Sequence, residues 1–573
     1  MPSARRASVI PHLRRGCADL GFAAAFLALA VLVYAHLWAD PARRYLIEGG
    51  QDQNQWEWFF SVTAHNLLNG ESPLFTTLQN HPLGVNLMAN TVMLGLSIPL
   101  APLTLAFGPS ATWAVVLTGG LAGSAFAWYW LLSRQLVATR AAAAIGAVFC
   151  AFAPPIVSHA NAHPNFVVVF VIPLVIHRLV LLHRHRRILR DGVILGVLIA
   201  YQIFLGEEVL LLAATGLAVF GLGYALAVRP PTRPVVVGVA VAATVCLALA
   251  GPALVFQFTG PQSYASLIHG PAGNDVRALV SFAGRSLAGD ATVAGSLSLN
   301  PTEQNAFFGW PLVILVIGLV VWLRRVPVVI PLGAVVVVAA AFSLGPEIIF
   351  YGEKLGLAGP WEVMSRLPMF ESVLESRFAI VCVPAMAVLL AVAADRVIAA
   401  SWRGAPARVL LGLALAEALV PLAPKPLVAA DRPATPEFFT AGLWRRHVRE
   451  GRALVPAPPP DAADATALRW QIDAGLGFSL PEGYFVGPYG PDRQGVYGTA
   501  PRPTASLLRD VRDSGQVPSI GAAERRQARA DLAYWRADAV VLGPHQRQAE
   551  LLRTLTDLLG PGRQEGGVWI WDV

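Results

Sequence analysis

Charged residues are scarce in this chain of 573 residues. They make up 14% of the sequence, whereas a typical soluble domain contains about 25%. Apolar residues make up 55%, and the mean hydropathy is +0.55. This composition excludes a disordered chain and argues against a purely soluble protein. It predicts a protein that crosses a membrane several times.

Lysine, cysteine and the short motifs of soluble enzymes are also rare or missing. Lys354 and Lys425 are the only lysines, and the four cysteines show neither metal-ligand spacing nor a disulfide framework. The absence of a Walker A loop, a Rossmann glycine motif, zinc spacing and a nucleophile elbow argues against a soluble nucleotide-sugar site. The net charge of +7 comes mainly from arginines in short turns and in the C-terminal tail. Because these form no basic stripe with aromatics, nucleic acid is not an expected partner.

Apolar runs long enough to cross a bilayer, roughly 20 residues each, recur along much of the chain. A further apolar stretch, 91–107, contains Pro99 and Pro102. If it crossed, the arginine-bearing turns would no longer share one side, so we predict that it is re-entrant or interfacial. The prediction is a polytopic α-helical protein with about eleven spans, the N-terminus inside and the C-terminus outside. The predicted spans are 18–38, 111–132, 141–157, 166–182, 190–205, 209–228, 235–257, 306–323, 327–344, 377–394 and 408–423.

The chain changes in character after residue 423. Residues 424–573 begin with several prolines and continue as short alternating elements. Strands alternating with helices indicate a small extracytoplasmic α/β domain after a transmembrane domain at 1–423. We predict strands at 452–456, 538–542 and 567–572, and helices at 461–475, 503–514, 522–535 and 545–559.

The first outer loop, 39–110, contains the most informative polar segment. Asp52 lies among Gln53, Gln55 and further amides, Trp56 and Trp58 follow, and His81 continues the polar series. Amides suit sugar hydroxyls and aromatic rings suit sugar C–H edges, so we predict a functional role for Asp52. For the tryptophans alone, we favour an interfacial belt on an interfacial helix.

Three features of the sequence together resemble the GT-C superfamily of membrane glycosyltransferases. They are the long first outer loop with its acid, the proline-bearing stretch HPLGVNLMANTVMLGLSIPLAPLTLAFGPSA, and the inner turn RQLVATR at 134–140, followed by APPIVSHANAHPNF. The resemblance covers roughly 18–425, and the texture of the whole chain is similar to that of actinobacterial integral membrane proteins. It implies a polyprenyl-phosphate sugar as donor and Asp52 as the catalytic base of an inverting transfer.

Other charged residues on the predicted outer side are candidates for substrate binding. Arg377 is the first candidate for the donor phosphate and Arg366 the second, unless Arg377 pairs with Glu371 or Glu375. The remaining candidates are His159, His163, Glu207, Glu208 and Glu303. Glu207 and Glu208 are adjacent, and acids at membrane depth are usually functional, although acids at this position could also stabilise a helix N-terminus. For His159 and His163, contacts with substrate or within the fold are favoured over a metal site.

The sequence as a whole predicts a glycosyltransferase in a bacterial plasma membrane. Its expected partners are a polyprenyl-phosphate sugar, a lipid-linked or cell-wall glycan as acceptor, and membrane lipids. Dependence on a divalent metal such as Mg²⁺ or Mn²⁺ is left open. In the tail, Tyr484 and other aromatics could bind glycan or pack in a core. The alternatives are a flippase or transporter of lipid-linked sugars and a non-catalytic membrane scaffold.

Overall fold

The computed structural model describes residues 9–184, 187–267, 269–399 and 404–573. They divide into two compact units. The first, here called the helical unit, comprises Met1–Gly49, Ala114–Ala250 and His269–Ala430. The second, here called the mixed unit, comprises Gly50–Trp113, Gly251–Ile268 and Asp431–Val573. Each unit is described separately below.

The helical unit contains long apolar helices. Within the described residues, six helical segments are long and apolar enough to cross a membrane. They are Pro109–Leu136, Pro164–His183, Glu207–Val228, Arg233–Thr259, Glu375–Ala399 and Ala405–Leu422, and shorter apolar helices cover Cys17–Val33, Arg140–Phe152, Trp310–Leu323 and Val329–Phe342. Most residues of these segments belong to this unit. The apolar faces of Glu207–Val228 and Arg233–Thr259 are largely exposed, which suits lipid better than water.

A helix occurs in each of the eleven predicted spans. The helices are Val9–Val33, Pro109–Leu131, Arg140–Phe152, Val171–His183, Ile188–Ile203, Glu207–Val228, Arg233–Thr259, Trp310–Leu323, Val329–Phe342, Cys382–Ala399 and Gly404–Leu419. A mainly helical membrane-type architecture is thereby confirmed, whereas the number of crossings and their orientation stay predictions. Short helices at Ala35–Trp38, Pro154–His159, Pro164–Val167, Ala291–Ser296 and Trp361–Met364 connect them, together with strands Arg44–Leu46, Glu347–Phe350, Glu353–Ala358 and Ala429–Asp431.

Prolines divide the segment at 91–107 into two pieces. The structure has short helices at Leu94–Ser97 and Ala101–Phe107, with Pro102 in the first turn of the second. Proline fits the first turn of a helix because its missing N–H has no helical partner there. Neither piece is long enough to cross a bilayer.

The mixed unit contains a four-stranded sheet made from the C-terminal part of the chain. Ala537–Leu542 pairs in parallel with Ala453–Pro456 and antiparallel with Val568–Asp572, to which Arg563–Glu565 adds an edge strand. Val540, for example, lies opposite Val455 on one side and Trp571 on the other. The helices of the tail are Glu437–Thr440, Thr466–Asp473, Pro503–Ser514, Ala522–Tyr534 and Gln548–Leu559.

The tail elements occur where their patterns predict them. Leu508, Leu532, Leu551 and Leu555 are buried with the sheet residues in one core, which explains why the apolar faces of these helices were visible in the sequence. The first predicted helix is shorter than expected. Asp461 and Asp464 accept hydrogen bonds from backbone N–H groups two or three residues later, and such turns compete with a helix.

Much of the first outer loop also belongs to the mixed unit. Its helix Asp52–Leu68 is followed by the short strands Phe75–Thr76 and Val85–Asn86, and the hairpin Val486–Tyr489 and Gln494–Tyr497 completes the unit. The ring of Trp56 stacks on Trp113 with centroids 6.4 Å apart. Trp58 donates to the Gln471 side chain at 2.6 Å. The prediction that these tryptophans form an interfacial belt is therefore wrong, since both rings lie in the protein interior.

Candidate active site

A half-buried arginine connects two carboxylates in the helical unit. Arg377 lies in the 3-10 turn Glu375–Val381, which leads into the helix Cys382–Ala399. Its Nη1 donates to Glu208 Oε2 at 2.7 Å, and its Nη2 and Nε donate to the Glu303 carboxylate at 2.5 and 3.2 Å. The alternative pairing of Arg377 with Glu371 or Glu375 is thus not the one observed. Arg377 meets Glu303 with two nitrogens and Glu208 with one.

The loop before the helix Trp310–Leu323 positions Glu303. Asn300 accepts from the backbone N–H of Thr302 at 2.8 Å and closes a turn. The hydroxyl of Ser158 donates to Pro301 O at 2.7 Å and accepts from Gln304 N at 2.9 Å. The loop is thereby attached to the helix Pro154–His159, beside the histidine pair. Glu207 and Glu208 occupy the first turn of Glu207–Val228, as the helix-start interpretation predicts.

The two histidines form a directed hydrogen-bond chain with this carboxylate. His159 Nδ1 lies 2.8 Å from His163 Nδ1, and His159 Nε2 lies 2.7 Å from Asn305 Oδ1. Asn305 Nδ2 donates to Glu303 Oε2 at 2.8 Å, so its Oδ1 must accept from His159. His159 Nδ1 then accepts from His163. The chain therefore runs from His163 through His159 and Asn305 to Glu303.

Electrostatics support the charge states in this chain. Burial lowers the pKa of His159 to about 3, which keeps the ring neutral. Burial alone would raise the pKa of Glu303, but the charge and hydrogen bonds of Arg377 and the two neighbouring histidines together outweigh burial and hold that pKa well below its usual range. Glu303 is therefore an ionised carboxylate in an enclosed environment. One guanidinium faces two carboxylates here, so the cluster has no surplus of positive charge.

His159, His163 and Glu303 could also hold a metal ion. One ligand atom from each lies within 4.8 Å of the others, and both His159 and Glu303 are buried. Imidazole ligands suit Zn²⁺ and other transition metals, whereas Mg²⁺ prefers oxygen ligands. The donor set therefore fits a transition metal better than Mg²⁺. Binding would require the two imidazoles to give up their mutual hydrogen bond.

An apolar cavity of about 230 Å³ lies beside this cluster in the helical unit. It is lined almost entirely by apolar side chains, including Ile156, Phe166, Val209 and Val381. Phe166 stacks on His159 with centroids 4.4 Å apart and lies 4.9 Å below the guanidinium carbon of Arg377. The same ring thus borders the cavity and contacts the charged cluster.

In the mixed unit, Asp52 begins the helix Asp52–Leu68 and is half-buried. The hydroxyl of Tyr484 donates to Asp52 Oδ1 at 2.5 Å. Gln55 Nε2 donates to the backbone oxygen of Tyr484 at 2.9 Å, and Gln53 Nε2 donates to Glu57 at 2.8 Å. Gln53 is fully buried. The structure therefore gives both amides partners inside the fold, and their predicted contacts with substrate stay predictions.

Glu57 lies one turn further along this helix and is also fully buried. Arg432 meets its carboxylate with two nitrogens at 2.6 and 2.8 Å, and Arg469 meets it at 2.9 Å. Burial would raise the pKa of Glu57, but the charge of Arg432, joined by Arg469, lowers it. This carboxylate is therefore saturated with positive charge. Nothing in the local sequence indicates it, because both arginines lie more than 370 residues away.

Two predicted site residues, Arg366 and His81, belong neither to the cluster around Arg377 nor to the residues around Asp52 and Glu57. Arg366 is 73% exposed and pairs with Glu362 at 2.9 Å. His81 is buried in the mixed unit, where its backbone N–H donates to Leu480 O. Burial lowers the pKa of His81, and the charges of Arg536 and Arg452 act in the same direction.

Sequence reasoning did not find Asn305, Phe166 or Ser376. Asn305 is fully buried and also donates to Ser376 Oγ at 3.1 Å. Its signal was present in the run of polar residues Thr302–Asn305 that directly precedes an apolar helix. Phe166 carried no such signal, because an aromatic residue in an apolar run is ordinarily a core residue.

Comparisons with known proteins give a fold and no family. No protein-family model matches the chain, and no curated protein matches it. Eleven chains of solved structures match. One is the archaeal oligosaccharyltransferase AglB from Archaeoglobus fulgidus, in complex with an inhibitory peptide and a dolichol-phosphate. The TM-score is 0.54 at 14% identity, over 92% of this chain and 69% of that one. The GT-C resemblance predicted from the sequence is thereby confirmed at the level of the fold.

Proposed function

We propose that the protein is a membrane glycosyltransferase that takes its sugar from a polyprenyl-phosphate donor. The observation that carries this proposal is Arg377 at the edge of an apolar cavity, with Phe166 in contact with both. A lipid phosphate has an apolar chain joined to an anionic group. The cavity suits the chain, and the planar guanidinium suits phosphate oxygens.

The unequal bonds of Arg377 suggest how a phosphate would enter. Glu303 holds the guanidinium through two nitrogens, whereas Glu208 holds it through one. We expect the phosphate to replace Glu208, because this exchange leaves the two-nitrogen contact with Glu303 intact. His159 and Asn305 would keep Glu303 in place. A divalent cation, when bound by His159, His163 and Glu303, would supply further positive charge for a leaving phosphate.

The proposed reaction is an inverting displacement at the sugar. The oxygen of an acceptor hydroxyl forms a bond with C1 of the sugar while the bond from C1 to the donor phosphate breaks. The hydroxyl proton passes to the carboxylate of Asp52, and the polyprenyl phosphate leaves with the bonding electrons. Arg377 stabilises the charge on the leaving phosphate. We propose that the acceptor is a lipid-linked or cell-wall glycan on the outer side of a bacterial plasma membrane.

The lipid bound to the structural neighbour supports the donor class. That archaeal enzyme is an oligosaccharyltransferase and was solved with a dolichol-phosphate. A polyprenyl phosphate has the same chemistry, an isoprenoid chain ending in a phosphate. The peptide in that structure is an inhibitor of that enzyme and does not carry over to the acceptor proposed here.

The test is sugar transfer by purified protein in liposomes. A panel of radiolabelled polyprenyl-phosphate sugars would be supplied with envelope glycolipid as acceptor. We expect transfer by the unchanged protein, and a fall of about 10²- to 10⁴-fold in kcat for Asp52→Asn, because a carboxamide cannot take the proton. Asp40→Asn serves as the control, since Asp40 is a half-buried acid at the start of the same predicted outer loop.

Each other outcome would overturn part of the proposal. Full transfer by Asp52→Asn would keep the enzyme and reject Asp52 as the base. Movement of the donor across the liposome membrane without transfer would reject the enzyme in favour of a flippase. Neither transfer nor movement from any donor would favour the scaffold.

A further inference from the structure

Tyr484, a residue of the C-terminal tail, lies in hydrogen-bond contact with Asp52. Its hydroxyl lies 2.5 Å from Asp52 Oδ1, across 432 residues of sequence. A distance this short is typical of a hydroxyl donating to an ionised carboxylate. The tail therefore supplies a group to the candidate base itself.

The backbone of Tyr484 is fixed on both sides by the first outer loop. Gln79 Oε1 accepts from Tyr484 N at 2.9 Å, and Gln55 Nε2 donates to Tyr484 O at 2.9 Å. Gln55 follows Asp52 by three residues on the same helix, so both contacts come from one face of that helix. Tyr484 is thus held by the same helix whose first residue it contacts.

The segment around Tyr484 is packed against the first outer loop. A Cβ on Gly483 would lie 1.8 Å from the side-chain oxygen of Gln79, so that side chain would have to move to make room for it. Phe485 is fully buried. On the far side, Val486 N donates to Asn90 Oδ1 at 2.7 Å, and Asn90 Nδ2 returns a bond to Val486 O at 3.0 Å. Anchors before and after the tyrosine fix where its ring points.

We infer that Tyr484 is a positioning residue for Asp52, and this inference rests on the proposed function. A carboxylate at the first position of a helix can rotate about its side-chain bonds. A base must present one oxygen to the acceptor hydroxyl within hydrogen-bond distance. A hydroxyl donor held at Oδ1 restricts that rotation. The C-terminal tail is then part of the catalytic machinery, in addition to any contact it makes with glycan.

The test compares Tyr484→Phe with Tyr489→Phe in the liposome transfer assay. Phenylalanine keeps the ring and removes the hydroxyl. Tyr489 lies in the adjacent strand Val486–Tyr489 and is 53% exposed, and its side chain has no hydrogen bond to a described residue. We expect Tyr484→Phe to lower kcat by about 10- to 100-fold, the size expected for a hydrogen bond to a charged group. KM for the donor and the thermal unfolding temperature should not change, and Tyr489→Phe should match the unchanged protein.

A double variant distinguishes positioning from a separate contact. If Tyr484 acts through Asp52, adding Tyr484→Phe to Asp52→Asn should cost no further activity. An additive loss would overturn the inference, since Tyr484 would then act independently of Asp52. Unchanged kcat in Tyr484→Phe, with an active parent protein, would overturn it while leaving the proposed function standing. An inactive parent protein with every donor would instead reject the proposed function and the inference with it.

Discussion

Each unit contains a cluster of arginine and glutamate around a buried carboxylate, but the ratio of arginines to carboxylates is opposite in the two clusters. In the helical unit, Arg377 serves two carboxylates, Glu208 and Glu303. In the mixed unit, the single carboxylate of Glu57 is served by Arg432 and Arg469. Both arrangements remove charge from water, which is costly unless the charges are paired.

The ratio indicates what each cluster can do. Two arginines and Gln53 satisfy Glu57, which has no exposed surface left for a ligand. Arg377 is divided between two acids, and one of them is held by a single bond beside an apolar cavity. A saturated cluster holds elements together. A cluster that shares one cation can exchange a partner for an anionic ligand.

The largest effect that would sharpen this comparison is on stability. We expect Glu57→Gln to lower the free energy of unfolding by about 3–5 kcal/mol, because Arg432 and Arg469 lose the buried anion between them. Glu208→Gln is the matched variant in the helical unit, where Arg377 keeps Glu303. It should cost clearly less. Thermal and urea unfolding of the purified protein in detergent would measure both, and equal losses would remove the distinction between the clusters.

The next effect is on activity. We expect Arg377→Gln to lower kcat for sugar transfer by about 10²- to 10³-fold, as for loss of one donor to a developing anion. Arg377→Lys keeps the charge and loses the planar guanidinium, so its kcat should lie between those of the unchanged protein and Arg377→Gln. Arg366→Gln is the control, since its exposed pair with Glu362 is worth about 0.2–1 kcal/mol at most. Transfer by folded Arg377→Gln at the parental rate would contradict the assignment.

The smallest effect concerns a third carboxylate, Glu482, which is buried in the mixed unit beside one arginine, Arg509. Burial raises the pKa of Glu482 to about 7, because Arg509 alone does not offset it. Since the folded pKa exceeds the ordinary value of 4.5, its contribution to stability is complete below pH 4.5. That contribution is lost as the pH rises through about 7.

We therefore expect the unchanged protein to lose roughly 1–3 kcal/mol of stability between those pH values relative to Glu482→Gln. The measurement is the unfolding free energy of both proteins across this pH range. His81, whose pKa is lowered by burial, contributes with the opposite slope but is present in both. Parallel curves of unfolding free energy against pH would mean that one arginine is enough to keep Glu482 ionised. The number of arginines per carboxylate would then not explain the difference between the clusters.

Much of the architecture could be read from the sequence. Helices were predicted at 503–514 and 545–559 and occur there, and their Leu508, Leu551 and Leu555 are buried with the sheet. Pro99 and Pro102 predicted a broken segment. The prediction of an interfacial tryptophan belt in the first outer loop was wrong. In a sequence, an aromatic residue that contacts lipid near a membrane surface cannot be distinguished from one that packs against protein. Only packing of Trp56 on Trp113 distinguishes the two.

The candidate site was predicted as separate residues and not as an arrangement. His159, His163, Glu208, Glu303 and Arg377 were all candidates, yet local spacing suggested Glu371 or Glu375 as the partner of Arg377. Asp52 was a candidate without its partner Tyr484. Gln53 and Gln55 were assigned to sugar because free amides suit hydroxyls. In the folded chain their amides have partners from inside the mixed unit.

The sequence by itself determined the apolar spans, the elements of the C-terminal tail and the residue types available for chemistry. These depend on hydropathy and on periodicities of two to four residues, which are local properties of the chain. Tertiary structure decided the partners. Arg377 meets Glu303 across 74 residues and Glu208 across 169, and Tyr484 meets Asp52 across 432. Ion pairs and hydrogen bonds form over a few ångströms, so their partners are fixed only when packing brings distant elements together.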